Sequence, residues 1–246
     1  MDHIFFWNAQ GAGGENFRYS IQDLVKMNKV DLLIVCEPRI KFSGAKKCLL
    51  FLDFTDFEVM EANGSSGVIW FLWNRNKITI NIVDPNFQSI SVKISWNGSH
   101  TWLLMGIYAS PYNTSRSGLW TSLDDLIKKH NLPWILVGDF NELLSFSDKI
   151  GGYQHYKFGG FQDWVVRNDL IDMGYQGVDF TWTNNSVNER LDISFCSSEW
   201  RLHFPDACVI HLARMKSDHC PILFNLRPDD RTSRANSPFR FQVIEC

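Results

Sequence analysis

Residues 134–141 read Trp134-Ile135-Leu136-Val137-Gly138-Asp139-Phe140-Asn141. An apolar run closed by a glycine predicts a short strand over 134–138. An acid and an amide, Asp139 and Asn141, follow it at once. Polar side chains at the end of an apolar strand are what loops at one edge of a sheet offer when they build a site. The arrangement recurs in Phe6-Trp7-Asn8, Val35-Cys36-Glu37, Ile107-Tyr108-Ala109-Ser110-Pro111 and Ser217-Asp218-His219-Cys220-Pro221, and Arg190-Leu191-Asp192 opens a further strand. Each has a plain structural reading on its own. Asp139 can be a turn former, Asn8 a loop cap, Glu37 a surface charge, His219 a hydrogen-bonded structural histidine, and Tyr108 a core residue whose hydroxyl meets a backbone group. Their order and company argue for one shared site.

Working outward, strand-like runs cover 3–8, 31–36, 67–73, 78–83, 90–96, 101–108, 191–196 and 221–226. Asn97-Gly98 predicts a tight hairpin between 89–96 and 101–108, because these residues readily take positive φ. Helices are predicted over 17–28, with Ile21, Leu24 and Val25 on one face, and over 116–130, with Leu119, Leu123, Leu126 and Ile127 on one face and Pro133 beyond the end. A third is predicted over 158–170, carrying Phe161, Trp164, Val165 and Leu170. Strands with interspersed helices predict a layered α/β or α+β domain. The pattern fades after 227, so the domain is expected over 1–227, with 228–246 a tail or truncated linker.

The chain has 246 residues, 45% hydrophobic and 21% charged, enough for a sizeable core. Its 10 Trp and 19 Phe suit sheet-on-sheet packing. The net charge of -3 argues against a dedicated DNA-binding module, which is usually strongly basic. Any hold on nucleic acid must come from a local basic face or from metal ions, and is expected to be weak and salt-sensitive. None of the six cysteines has the spacing of a zinc site, and Cys36 and Cys220 read as small buried residues. Met1 leads directly into Ile4-Phe5-Phe6-Trp7, so no secretory leader is expected, and no apolar run is long enough to span a membrane. Asn63-Gly64-Ser65 and Asn97-Gly98-Ser99 are therefore read as turns in a reduced, intracellular protein.

Gly138-Asp139-Phe140-Asn141 and Ser217-Asp218-His219-Cys220-Pro221 are the specific marks. With Trp7-Asn8, Glu37, Tyr108 before Pro111, and Asp192, in that order over 4–226, the chain resembles the endonuclease/exonuclease/phosphatase superfamily. That group includes apurinic endonucleases, pancreatic-type DNases, inositol phosphatases and retrotransposon endonucleases. Cys36-Glu37-Pro38-Arg39, Gly67-Val68-Ile69-Trp70-Phe71-Leu72-Trp73, Phe180-Thr181-Trp182-Thr183-Asn184, Glu189-Arg190-Leu191-Asp192 and Pro238-Phe239-Arg240-Phe241 are similar to the endonuclease of plant LINE-type retrotransposons in particular. The resemblance implies an α+β, four-layer α/β/β/α sandwich of two packed, mostly antiparallel sheets, as in DNase I. It also implies Mg²⁺- or Mn²⁺-dependent hydrolysis of DNA, one strand being nicked to leave a 3′-hydroxyl. Nuclear residence is an expectation from that substrate.

The residues suit the chemistry. Asn8, Glu37 and Asp218 offer hard oxygen ligands for Mg²⁺ or Mn²⁺. Asp139 would position or deprotonate water, Asn141 and Tyr108 would hydrogen-bond the phosphate, and His219, held by Asp192, would meet the developing charge. Departures from relatives are Gln10, where apurinic enzymes carry an acid, Ile193 after Asp192, and Ser66-Gly67 in place of paired glycines. Two other functions compete: a phosphatase or phosphodiesterase of the same superfamily, and a degenerate or co-opted domain that binds DNA or protein without cutting. The set Asn8, Glu37, Tyr108, Asp139, Asn141, Asp192, Asp218 and His219 is intact, which argues against decay.

Overall fold

A computed structural model describes residues 1–60, 68–95, 100–152 and 160–228. The first half of the chain runs β1 (His3–Asn8), α1 (Glu15–Met27), β2 (Leu32–Cys36), α2 (Phe42–Leu50), β3 (Asp56–Met60), β4 (Ile69–Trp73), β5 (Thr79–Asn86), β6 (Ser89–Ser95), β7 (Thr101–Tyr108) and α3 (Asn113–His130). The second half runs β8 (Trp134–Asp139), β9 (Lys149–Ile150), α4 (Gly160–Arg167), β10 (Ile171–Asp172), β11 (Gln176–Gly177), β12 (Trp182–Thr183), β13 (Asn188–Glu189), β14 (Asp192–Cys196), α5 (Ser198–His203), β15 (Cys208–His211) and β16 (Ile222–Asn225).

Two large sheets carry the fold, in the orders β11-β15-β16-β1-β2-β4-β3 and β10-β14-β8-β7-β6-β5. Pairing is antiparallel except between β1 and β2, β7 and β8, and β11 and β15. The expected sandwich follows from the period of two along each strand. Ile4 and Phe6 of β1 join Leu104 of β7 and Ile135 and Val137 of β8 in the core between the sheets. Phe5 and Trp7 of the same strand face the other way and pack under Phe17, Ile21 and Val25 of α1 and Leu49 of α2. On the far side, Leu103 and Met105 of β7 lie under Leu119, Trp120 and Leu123 of α3 and Trp164 of α4. Helix, sheet, sheet and helix are therefore stacked as four layers. With both faces covered, the central strands are apolar at nearly every position, which made them conspicuous in the sequence.

The predicted elements are displaced by small amounts. β6 and β7 pair from Ser89↔Ile107 to Ser95↔Thr101, as the hairpin reading required. The Asn97-Gly98 turn itself lies outside the described residues, as do Asn63-Gly64-Ser65, Ser66-Gly67, and the residues beyond 228. The third helix ends at Arg167, earlier than 170. Asp169 takes a left-handed φ of 50°, and the Leu170 N–H turns back to the Val165 carbonyl, so the chain leaves the helix there. α2, α5, β3 and β15 were not predicted. No helix among the described residues is long and apolar enough to cross a membrane. Cys36 and Cys220 are buried, as expected, and both are free thiols.

Candidate active site

Five strand ends and one loop converge at one edge of the two sheets. Asn8 closes β1 and Glu37 follows β2. Tyr108 closes β7, Asp139 closes β8, and Asp192 opens β14. His219 sits in the loop before β16. β1, β2 and β16 belong to the seven-stranded sheet, and β7, β8 and β14 to the six-stranded one. Three hydrogen bonds at the centre of the site cross from one sheet to the other. Asn8 Nδ2 donates to Asp139 Oδ2 at 3.0 Å, the Tyr108 hydroxyl donates to Glu37 Oε1 at 2.5 Å, and His219 Nδ1 meets Asp192 Oδ2 at 2.7 Å.

Local sequence explains why each group stands where it does. Gly138 has φ 156°, and a Cβ there would lie 2.0 Å from the Ile107 carbonyl of β7, so only glycine lets the two strands meet just before Asp139. Phe140 turns away from the site, stacking on Phe161 at 5.0 Å and meeting Phe195 edge-on at 5.5 Å. That anchor fixes Asp139 and Asn141 on either side of it. Asn141 donates its N–H to Asp139 Oδ1 at 2.8 Å and its Nδ2 to the Ala109 carbonyl at 2.8 Å, which ties the β8 loop to the β7 loop. Gln10, Glu37, Arg39 and Asn141 all take positive φ, between 46° and 52°. For residues other than glycine this costs roughly 1–2 kcal/mol each, less for asparagine, and such strain collects where geometry is held for function.

Asp192 is fully buried, and Thr181 Oγ1 accepts both its N–H and that of Leu191 at 3.0 Å. Just upstream, Arg190 forks onto Asp172 at 2.7 and 2.8 Å and fixes the start of β14. Ser217 Oγ donates to the Asn8 carbonyl at 2.7 Å and accepts the His219 N–H at 3.0 Å, locking the histidine loop to the end of β1. Asp218 is placed differently from its neighbour. Its Oδ2 accepts from Gln10 Nε2 at 2.7 Å and from Trp182 Nε1 at 2.9 Å. Gln10 was read only as an amide in place of an acid, and Thr181, Trp182 and Ser217 had no individual role in the sequence reading. Their signal was only adjacency to marked residues.

Burial pushes the Asp139 carboxyl up, the His219 charge opposes this and Asp192 adds to it, leaving Asp139 at about 7. Burial alone would lower His219, but the carboxylates of Asp192 and Asp139 overcome it and push the imidazole up to about 9. Burial and the bond to Glu37 raise the Tyr108 hydroxyl well above its ordinary value, so it stays a donor. The site therefore pairs a cationic imidazole with a carboxyl able to exchange a proton near neutrality.

Two groupings could hold a divalent cation. Glu37 offers a hard carboxylate, with Oε2 on Arg39 at 3.0 Å, and the buried Asn8 Oδ1 has no hydrogen-bond partner. An orphaned buried oxygen beside a carboxylate fits an oxygen-seeking ion. One ligand atom each from Asp139, Asp192 and His219 also lie within 4.8 Å of one another. There, however, His219 already spends one ring nitrogen on Asp192, as an oriented acid–base group does.

No curated protein sequence matches the chain. Solved structures do match in fold. The endonuclease domain of TRAS1, a telomere-specific non-LTR retrotransposon, superposes with a TM-score of 0.66 at 14% identity, over 92% of this chain and 98% of that one. The 3′-5′ exonuclease NExo from Neisseria meningitidis gives 0.66 at 16% identity, over 91% and 98%. A variant of the Neisseria 3′ phosphatase NExo bound to a product DNA hairpin gives 0.66 at 16%, over 92% and 99%. The sequence pattern of the Endonuclease/Exonuclease/phosphatase family matches residues 5–219, and the chain belongs to that family.

Proposed function

We propose that the chain is a Mg²⁺-dependent DNA endonuclease that hydrolyses one strand and leaves a 3′-hydroxyl. The observation that carries this reading is the convergence of Asn8, Glu37, Tyr108, Asp139, Asn141, Asp192 and His219 from both sheets onto one edge of the sandwich. In this reading Asp139, near 7, takes a proton from the attacking water, and the Asn8 and Asn141 amides hold its carboxylate in place. His219, kept cationic and oriented by Asp192, sets a positive charge against the phosphoryl oxygens. Tyr108 can turn its single donor from Glu37 to a phosphate oxygen. Glu37 and Asn8 would hold the cation, with Asp218 nearer the rim. When bound, the cation supplies Lewis-acid charge to the phosphoryl and leaving oxygens.

The test is nicking of supercoiled plasmid with Mg²⁺ and with EDTA, followed by DNA ligase, which seals only nicks with a 3′-hydroxyl and a 5′-phosphate. Nicking that EDTA abolishes and ligase repairs is the expected result. Asp139→Ala and His219→Ala should each lose on the order of 10²-fold or more. Release of phosphate from small monoesters without nicking would replace the endonuclease by a phosphatase. DNA binding without any hydrolysis would replace it by a co-opted binding domain.

A further inference from the structure

Arg116 is the fourth residue of α3, yet it is only 6% exposed and shares the helix's buried face with Leu119, Trp120 and Leu123. A guanidinium on an apolar face needs acceptors for its donors. Its Nε donates to Glu142 Oε2 at 2.9 Å, and its Nη1 donates to the carbonyls of Ser110 and Pro111 at 2.9 and 3.0 Å. Ser110 and Pro111 follow Tyr108 in the loop after β7. Glu142 follows Asn141 in the loop after β8. One rigid, planar group thus spans the two loops that follow Tyr108 and Asp139, the second of which carries Asn141.

The pair is poorly built as a source of stability. Glu142 is 1% exposed, and its Oε1 has no hydrogen-bond partner. Desolvating two charges offsets their attraction unless every lone pair is satisfied, and well-packed apolar pairs often do as well. What the pair supplies is geometry. The turn it grips is fixed from its other side too, because the Ser110 N–H donates to Gln88 Oε1 at 2.6 Å and the Tyr112 N–H to Ser110 Oγ at 3.2 Å.

We propose that Arg116 is a positioning residue. With Glu142 it clamps the Tyr108 loop to the Asp139–Asn141 loop and sets the spacing between the phenol and the carboxylate. This rests on the hydrolase reading of the site, but the clamp has a readout of its own.

The experiment compares Arg116→Met, Glu142→Leu, the double variant and Arg116→Lys. Melting temperature, amide hydrogen exchange over 109–112 and 140–142, and plasmid-nicking kcat and KM are measured for each. Either single apolar change leaves a buried charge unpaired and should lower the melting temperature. The double change removes both charges and should restore most of it. Exchange in both loops should nonetheless stay on the order of 10-fold faster, and kcat about 10- to 100-fold lower with KM nearly unchanged, as small displacements of reacting groups produce. Arg116→Lys reaches Glu142 without the fork to the carbonyls and should fall between. If kcat recovers together with melting temperature in the double variant, or loop exchange does not change, Arg116 is merely structural and the proposal fails. If the parent does not nick while loop exchange behaves as stated, the clamp stands and the endonuclease reading fails.

Discussion

His211 ends β15 and His219 lies in the loop that follows; both are 3% exposed, yet one is held neutral and the other charged. His211 Nδ1 meets the Val178 carbonyl at 2.8 Å, and its ring stacks on Tyr175 at 4.3 Å with 9° between the planes. Burial pushes it down to about 4, so it is neutral, with the Nδ1 proton on the carbonyl. His219 is as deeply buried but faces two carboxylates, and it is pushed up to about 9. Burial sets how much a partner matters, and the identity of the partner decides the sign. A histidine against a backbone oxygen is a packing residue. One against a buried carboxylate is a held charge.

The largest effect that would break this comparison is on rate. Asp192→Asn removes the negative charge that orients and charges His219, and nicking should fall on the order of 10²–10³-fold without rescue by extra Mg²⁺. His211→Gln should leave the rate within a few-fold of the parent, and an equal loss in both variants would erase the distinction. Next is Glu37→Gln, which keeps the shape of the side chain but removes a charged oxygen. It should lose roughly 10- to 100-fold at low Mg²⁺ and regain part of the rate as Mg²⁺ is raised. Rescue of Asp192→Asn instead would mean the two carboxylates' roles are reversed.

A smaller effect concerns stability against pH. The folded pKa of His211, about 4, lies below its ordinary value of 6.5. The unfolded chain therefore takes up the proton first, and the contribution is complete above pH 6.5 and lost as pH falls towards 4. The parent should lose about 2–3 kcal/mol over that window from this group. Denaturant midpoints at pH 7 and 4.5 should differ less in His211→Gln than in the parent. The smallest is Tyr175→Leu. It removes the stacked ring and should cost about 1 kcal/mol of stability, read as a lower melting temperature, with nicking unaffected.

Legibility in the sequence followed physical lines. The central strands stood out because burial on both faces leaves them few polar positions. α2 was missed because its nine residues bury only Phe42, Ala45 and Leu49 and include Ser43 and Gly44, which weaken a helical signal. α5 is six residues long, but Ser197 caps it by accepting the Trp200 N–H at 3.2 Å, a signal that was available. Of the site, the residues that do the proposed chemistry were readable as polar groups ending apolar runs. Those that hold them were not. Thr181 and Ser217 act through single hydroxyls whose partners are far away in sequence. Arg116 did carry a sign, since it stands three, four and seven residues before Leu119, Trp120 and Leu123 on a buried stripe, where a charge needs a partner.

The three hydrogen bonds that cross between the sheets make the site a gauge of the gap separating them. Their lengths follow the thickness of the layer that contains Ile4, Phe6, Ile34, Leu104, Ile135 and Val137. Trimming one of these side chains lets the sheets settle by a fraction of an ångström and alters all three bonds together. Warming, which loosens the same layer, should silence the protein some degrees before it melts. In the proposed enzyme, residues remote from the chemistry would thereby become determinants of its working temperature.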